Sequence, residues 1–163
     1  MAKKKIQKTN AIRLVEQQKI SYTEHEYAWS ESDLSAVEVV DQVKAPPEQI
    51  FKTLVAVGNK TGPIVAVIPS NQELDLKKIA KASGNKKVEM LHLRDLEATT
   101  GYIRGGCSPV GMKKLLPTYF DASAENFGTI IVSAGRRGLQ MEVAPKELKN
   151  LVRGFFVDLI SEA

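Results

Sequence analysis

The chain is short of the residues on which several kinds of chemistry depend. A single cysteine, Cys107, stands among 163 residues, so no internal disulfide forms, and that usage fits a reducing compartment. The only histidines, His25 and His92, make no close-spaced ligand pair, and neither H-E-x-x-H nor C-x-x-C occurs. No resident metal or other cofactor is therefore expected. No run approaches the roughly 20 apolar residues that cross a bilayer, and the charged start Met1–Lys8 is followed by neither an apolar stretch nor a small-residue cleavage site. These absences predict a cytoplasmic chain with no membrane partner.

Acidic residues are missing locally. None lies between Glu97 and Asp121, whereas Arg104, Lys113 and Lys114 do, in a chain of net charge +4 and pI about 9.1. That stretch suits phosphate contact, although on charge alone a solvated surface is the commoner reading. It contains the most distinctive segment of the sequence, Gly101-Tyr-Ile-Arg-Gly-Gly-Cys-Ser-Pro-Val-Gly111. The segment is not a P-loop, because Gly106 and Gly111 are followed by Met112 rather than lysine. The dinucleotide fingerprint fails as well, since the G-x-G-x-x-G spacing is missing and the preceding residues read as helix. As a nucleophile elbow it ends on Val110 in place of glycine, and Pro109 after Ser108 removes an N–H that an oxyanion hole would use. Gly105 and Gly106 still admit a close backbone approach and offer N–H groups to a carbonyl or phosphate oxygen; an ordinary wide turn is the other reading. Cys107 has no histidine near it in sequence to act as its base and reads as a small core or loop residue.

Local patterns predict the elements. Thr9 or Asn10 caps a helix ending near Gln18–Lys19, followed by an extended segment over Ser21–Tyr27. Ser35 and Glu38 have capping-box spacing before Val37, Val39 and Val40, after a polar loop Ser30–Asp33. Phe51–Val57 and Ile64–Ile68, joined by Gly58–Pro63, predict a hairpin. Asp75 and Gly84 bound a helix over Leu76–Ser83. Further strands are expected at Val88–Leu91, Thr118–Asp121, Thr129–Ser133, Leu139–Val143 and Phe155–Ile160, with one helical turn at Asp95–Thr99 and a helix over Pro145–Leu151. The turn Ala134–Gly138 makes a second hairpin. Helices inserted irregularly among six or seven short strands predict one α+β domain over residues 1–163, built on a mixed, partly closed sheet.

Lys52 interrupts the apolar run Phe51–Val57, so its ammonium must reach either solvent or an anion. Arg136 and Arg137 read as exposed turn residues. Tyr27 and Trp29, flanking the polar loop, are placed to stack on a base or to pack at the rim of the core.

Phe51-Lys-Thr-Leu-Val55, Leu74-Asp-Leu-Lys-Lys78, Lys86-Lys-Val-Glu-Met90, Thr100–Pro109 and Ser133-Ala-Gly-Arg-Arg-Gly-Leu139 occur in an order that resembles the YbaK/EbsC family of aminoacyl-tRNA deacylases, relatives of the editing domain of bacterial prolyl-tRNA synthetases. The resemblance implies hydrolysis of Cys-tRNA(Pro), with no metal and no side-chain nucleophile. It casts Lys52 as the residue that holds the terminal nucleotide, with Thr53 beside it, and sets backbone groups of Gly105 and Gly106 against the ester carbonyl. It further implies substrate-binding roles for Tyr27, for Ser108 and Pro109 of the S-P step, and for Ser133, Gly135 and Arg136 of the S-x-G turn. The reacting group becomes the substrate's own thiol, a positioned water or a ribose hydroxyl. The implied partners are the aminoacylated 3′ end of tRNA(Pro) and, transiently, prolyl-tRNA synthetase. Related readings are removal of alanine or another amino acid, and a tRNA- or synthetase-binding module without catalysis.

Overall fold

The computed structural model describes residues 8–26 and 45–161. The expected helix at Ser35–Val40, the polar loop before it, Tyr27 and Trp29 lie outside the described residues.

Helix α1 (Asn10–Gln17) starts where the Thr9 hydroxyl accepts the Ile12 N–H at 3.2 Å. The same hydroxyl donates to the Ala134 carbonyl at 2.5 Å, which ties the helix start to a distant strand. Strand β1 (Tyr22–Glu26) follows. Strands β2 (Phe51–Gly58) and β3 (Gly62–Pro69) form the expected antiparallel hairpin. Helix α2 (Leu76–Ser83) is capped by the Asp75 carboxylate, which accepts the Lys77 and Lys78 N–H groups, and it ends at Gly84 with φ 76°. That left-handed conformation is costly for any residue with a Cβ. Strand β4 (Val88–Met90) leads to helix α3 (Leu96–Thr100). Then come β5 (Thr118–Asp121), β6 (Ile130–Arg136), β7 (Leu139–Val143), helix α4 (Pro145–Leu151) and β8 (Phe155–Val157).

Eight strands thus stand among the described residues, one more than the upper expectation, and they form two sheets. One has the order β4-β2-β3-β5-β8 and mixes antiparallel pairs with the parallel pairs β3–β5 and β5–β8. The other, β1-β7-β6, is antiparallel. A parallel bridge between Ile50 and Ile131 joins them, so the expected partial closure takes the form of two linked sheets rather than a closed barrel.

Both faces of the larger sheet are covered. On one, Phe51, Val65, Val67 and Phe120 pack against α1 and the inward residues of β6 and β7. On the other, Ala56, Ile64, Ala66 and Ile68 pack beneath Ile79 of α2 and Leu159. Double coverage explains why β3 reads as an unbroken apolar run instead of an alternating one. Each fully buried Ile or Phe contributes on the order of 1.5–3 kcal/mol. A third, smaller cluster of Val55, Tyr102 and Cys107 lies under the glycine-rich segment.

Two boundaries differ from expectation for physical reasons. Strand β6 continues past Ser133 into the expected turn, because a bulge between Ser133 and Arg136 absorbs Gly135 at φ 104°. Strand β8 stops at Val157, where the chain leaves the ladder so that the Leu159 N–H can donate to the buried Asp121 carboxylate at 2.9 Å.

Candidate active site

Register places a row of polar residues across the junction of the two sheets. Ser133 on β6 is paired with Gln140 on β7, and Gln140 with His25 on β1. Cross-strand partners share a face, so these three project to the same side, away from the apolar side of Val132 and Met141. Beyond β6, the parallel Ile50–Ile131 bridge puts Lys52 level with Ser133 on that same side, two residues further along each strand.

The edge of β2 is divided between two neighbours. Strand β6 meets it at Ile50, and β4 pairs with Ala56, Val57 and Gly58. Among the described residues, no strand pairs with that edge at Lys52–Leu54, which leaves a notch where the sheets part. The Thr53 hydroxyl is buried beside it without a hydrogen-bond partner. Lys52 is half-buried; desolvation pushes its pKa below the usual lysine value, and the Glu73 carboxylate partly offsets this.

The glycine-rich segment folds against the bulge that follows Ser133. A Cβ on Gly106 would sit 3.0 Å from the Cα and carbonyl carbon of Arg136 and from the Arg137 nitrogen, so only glycine admits this approach. The Arg137 Nε donates to the Arg104 carbonyl at 2.8 Å and ties the two loops together. A Cβ on Gly135 would approach the Tyr102 ring at 3.1 Å, and the Tyr102 hydroxyl donates to the Val110 carbonyl at 2.6 Å. The Gly106 N–H donates to the Ile103 carbonyl at 2.9 Å and closes a turn around Gly105, which is exposed.

The bulge of β6 that carries Gly135 and Arg136 after Ser133 thus meets Gly106 and its turn, and the Ile50–Ile131 bridge brings the strand of Lys52 alongside β6 at their junction. Ser108 and Pro109 do not line it: both are buried, and the Ser108 hydroxyl accepts the Val110 N–H at 3.2 Å inside the loop. Cys107 is buried as well, and its thiol is pushed up to about 11 by desolvation, with a hydrogen bond to Thr100 acting weakly the other way. A thiol protonated at neutral pH is a poor nucleophile.

His25 and Gln140 of the row, and Glu142 two residues from Gln140 on the same face, had no site role in the sequence reading. The Leu139–Val143 alternation marked Gln140 and Glu142 as the polar face of a strand, yet Gln140 is only 6% exposed. Glu142 accepts a hydrogen bond from the Thr129 hydroxyl and one at 2.8 Å from the His25 ring. These two bonds, Thr129 first, hold its carboxyl below the usual carboxylate range. A carboxyl depressed in the folded state contributes stability above its unfolded value, and that contribution is lost as pH falls through the folded value. Thermal unfolding midpoints from neutral to acid pH should therefore fall more steeply in the wild type than in Glu142→Gln. Coincident profiles would remove this role.

Residues 31–151 match the family described as "Aminoacyl-tRNA editing domain", and the chain belongs to that family. It is 64% identical, over 163 residues and 99% of each chain, to an Enterococcus faecalis (strain ATCC 700802 / V583) protein named "Putative Cys-tRNA(Pro)/Cys-tRNA(Cys) deacylase EbsC". A solved structure described as "a putative trans-editing enzyme for prolyl tRNA synthetase" superposes with TM-score 0.79 at 26% identity, over 96% of this chain and 99% of that one. The hypothetical protein APE2540 superposes with TM-score 0.85 at 18% identity, over 94% and 100% of the two chains, and shows the shared fold.

Proposed function

We propose that this chain hydrolyses the ester joining cysteine to the 3′ end of tRNA(Pro), acting as one domain over residues 1–163 in the cytoplasm. The observations that support the reading are the close approach of Gly106 to the β6 bulge that follows Ser133 and the Ile50–Ile131 bridge that brings the strand of Lys52 alongside β6. The family and the E. faecalis relative support the chemistry.

In this reading Lys52 anchors a phosphate of the terminal nucleotide, and its partial desolvation strengthens the contact. Ser133 and the S-x-G turn line the path of the acyl group, while backbone groups of the Gly105–Gly106 turn face the ester carbonyl. Donation from the Gly106 N–H requires release from Ile103, a tightening of the kind that substrate binding often brings. Ser108 and Pro109 act through the shape of the loop. Tyr27 completes the substrate-binding set from outside the described residues. Arg136 and the exposed Arg104, Lys113 and Lys114 give the RNA backbone a rim that no acid between Glu97 and Asp121 opposes.

An aminoacyl ester is already activated, so positioning and oxyanion stabilisation supply much of the acceleration. Water adds to the carbonyl, the acyl–oxygen bond breaks and the ribose hydroxyl leaves with a proton from that water; where the substrate's own thiol adds first, its proton goes to the ribose hydroxyl, and water then opens the resulting cyclic thioester to give free cysteine. Selection by the thiol separates cysteine from alanine and serine better than pocket size does. Among the described residues no group of three or more His, Cys, Asp or Glu is placed to hold a metal, and no helix is long and apolar enough to cross a membrane.

The test is turnover of Cys-tRNA(Pro), Cys-tRNA(Cys), Ala-tRNA(Pro) and Ser-tRNA(Pro). The cysteinyl substrates should be hydrolysed at least tenfold faster than the other two; equal rates would overturn thiol selection. Transient association with prolyl-tRNA synthetase supplies the preference for tRNA(Pro). An unchanged preference on adding synthetase, with no association by titration, would overturn that part.

A further inference from the structure

The Gln140 side chain is 94% removed from solvent, and its Oε1 is buried without a hydrogen-bond partner. A buried amide oxygen in that condition is destabilising, by the desolvation its position demands. Leu139, Met141 and Val143 fill the apolar face of the same strand, and Gln140 lies on the opposite face, where it too is closed off from water. Its neighbours are the polar row itself, with Ser133 on one side and His25 on the other.

We infer that Gln140 is a specificity residue whose side-chain carbonyl accepts a hydrogen bond from the α-amino group of the aminoacyl ester; the inference rests on the deacylase reading above. Oε1 is an acceptor only, so the ligand must bring a donor. The substrate end offers three: the α-amino group, a ribose hydroxyl and the adenine amino group. Charge along the row selects among them. Lys52 makes one end positive and suits the nucleotide's phosphate. Glu142, two residues from Gln140 on the same face of β7 and accepting hydrogen bonds from the Thr129 hydroxyl and the His25 ring, adds negative charge beside Gln140, one strand further from Lys52 than Ser133. The α-amino group is the only cationic group at the reacting end, and it donates in both of its protonation states. The acyl group then lies over Ser133 with its amine toward Gln140 and its ester toward the glycine-rich turn.

The test compares Cys-tRNA(Pro) with its desamino analogue, 3-mercaptopropionyl-tRNA(Pro), for wild type, Gln140→Leu and Gln140→Glu, reading kcat/KM together with the melting temperature. The wild type should prefer the amine-bearing substrate by about tenfold or more, the scale of one hydrogen bond to a charged group. Gln140→Leu should lower the ratio about tenfold, toward that of the uncatalysed hydrolyses, while melting at the same or a higher temperature, because it removes an unsatisfied buried oxygen. Gln140→Glu, which keeps the acceptor, should keep the ratio. A ratio unchanged in Gln140→Leu, or an equal loss with both substrates alongside a lower melting temperature, would make Gln140 structural and overturn the inference. Wild-type protein that releases neither acyl group would instead bring down the deacylase reading, and this inference with it.

Discussion

Replacing Lys52 with alanine should lower kcat/KM for Cys-tRNA(Pro) by about 100-fold or more while leaving the melting temperature unchanged or slightly raised. A hydrogen bond to a charged group is worth about 1.5–3 kcal/mol, or roughly 10–150-fold. Misplacement of the ester adds to that loss, because the same anchor sets the position of the reacting carbonyl. The stability side has the opposite sign. Desolvation holds the Lys52 pKa below its usual value in the folded state. The folded protein therefore bears its full electrostatic cost below that depressed pKa, and the cost is relieved as pH rises toward the ordinary lysine value. A lysine kept for stability would behave otherwise. Lys52→Ala with unchanged turnover, or with a large fall in melting temperature, would contradict its assignment as an anion anchor. Single-turnover deacylation and thermal unfolding on the same preparations distinguish these outcomes.

Gly106→Ala should lower deacylation about tenfold or more and cost about 1–3 kcal/mol of stability, the usual range for overpacking. The added methyl would sit 3.0 Å from backbone atoms of Arg136 and Arg137, and backbone cannot swing aside as a side-chain end can. Relief requires the glycine-rich turn to withdraw from the β6 bulge, which moves Gly105 and the turn's donors away from Ser133. Gly128→Ala is the matched control: nothing lies within 4 Å of its Cβ position. That variant should retain wild-type activity. Equal activity of Gly106→Ala and Gly128→Ala would show that the close approach of the two loops has no part in catalysis.

Much of the fold was legible where the signal is local. Asp75 and Gly84 mark both ends of α2, since a cap and a left-handed terminus depend on single residues. The β2–β3 hairpin was legible because its strands are adjacent in sequence and its turn is rich in glycine. The parallel pairs β3–β5 and β5–β8 were not, because their register is set by packing between segments far apart in the chain. The same holds for the site. Lys52 stood out because an ammonium in an apolar run needs an explanation, and the glycine-rich segment because its spacing failed every familiar motif. That Lys52 and Ser133 share a face depends on the Ile50–Ile131 bridge, which no local pattern announces. Gln140 stayed hidden for the reverse reason: alternation shows which residues avoid the core, not whether the far side of the sheet is open to water. The chemistry itself came from family resemblance, and the failed motif searches agree with it by offering no serine elbow or activated thiol.

Release of free cysteine from Cys-tRNA(Pro) by the purified wild-type chain and by Lys52→Ala, with Pro-tRNA(Pro) as the correctly charged control, tests the central claim most directly. The expected result is multiple-turnover release of cysteine by the wild type, release near the uncatalysed rate by Lys52→Ala, and intact Pro-tRNA(Pro) with both. No release above background by the wild type, or equal release by the two proteins, would contradict it.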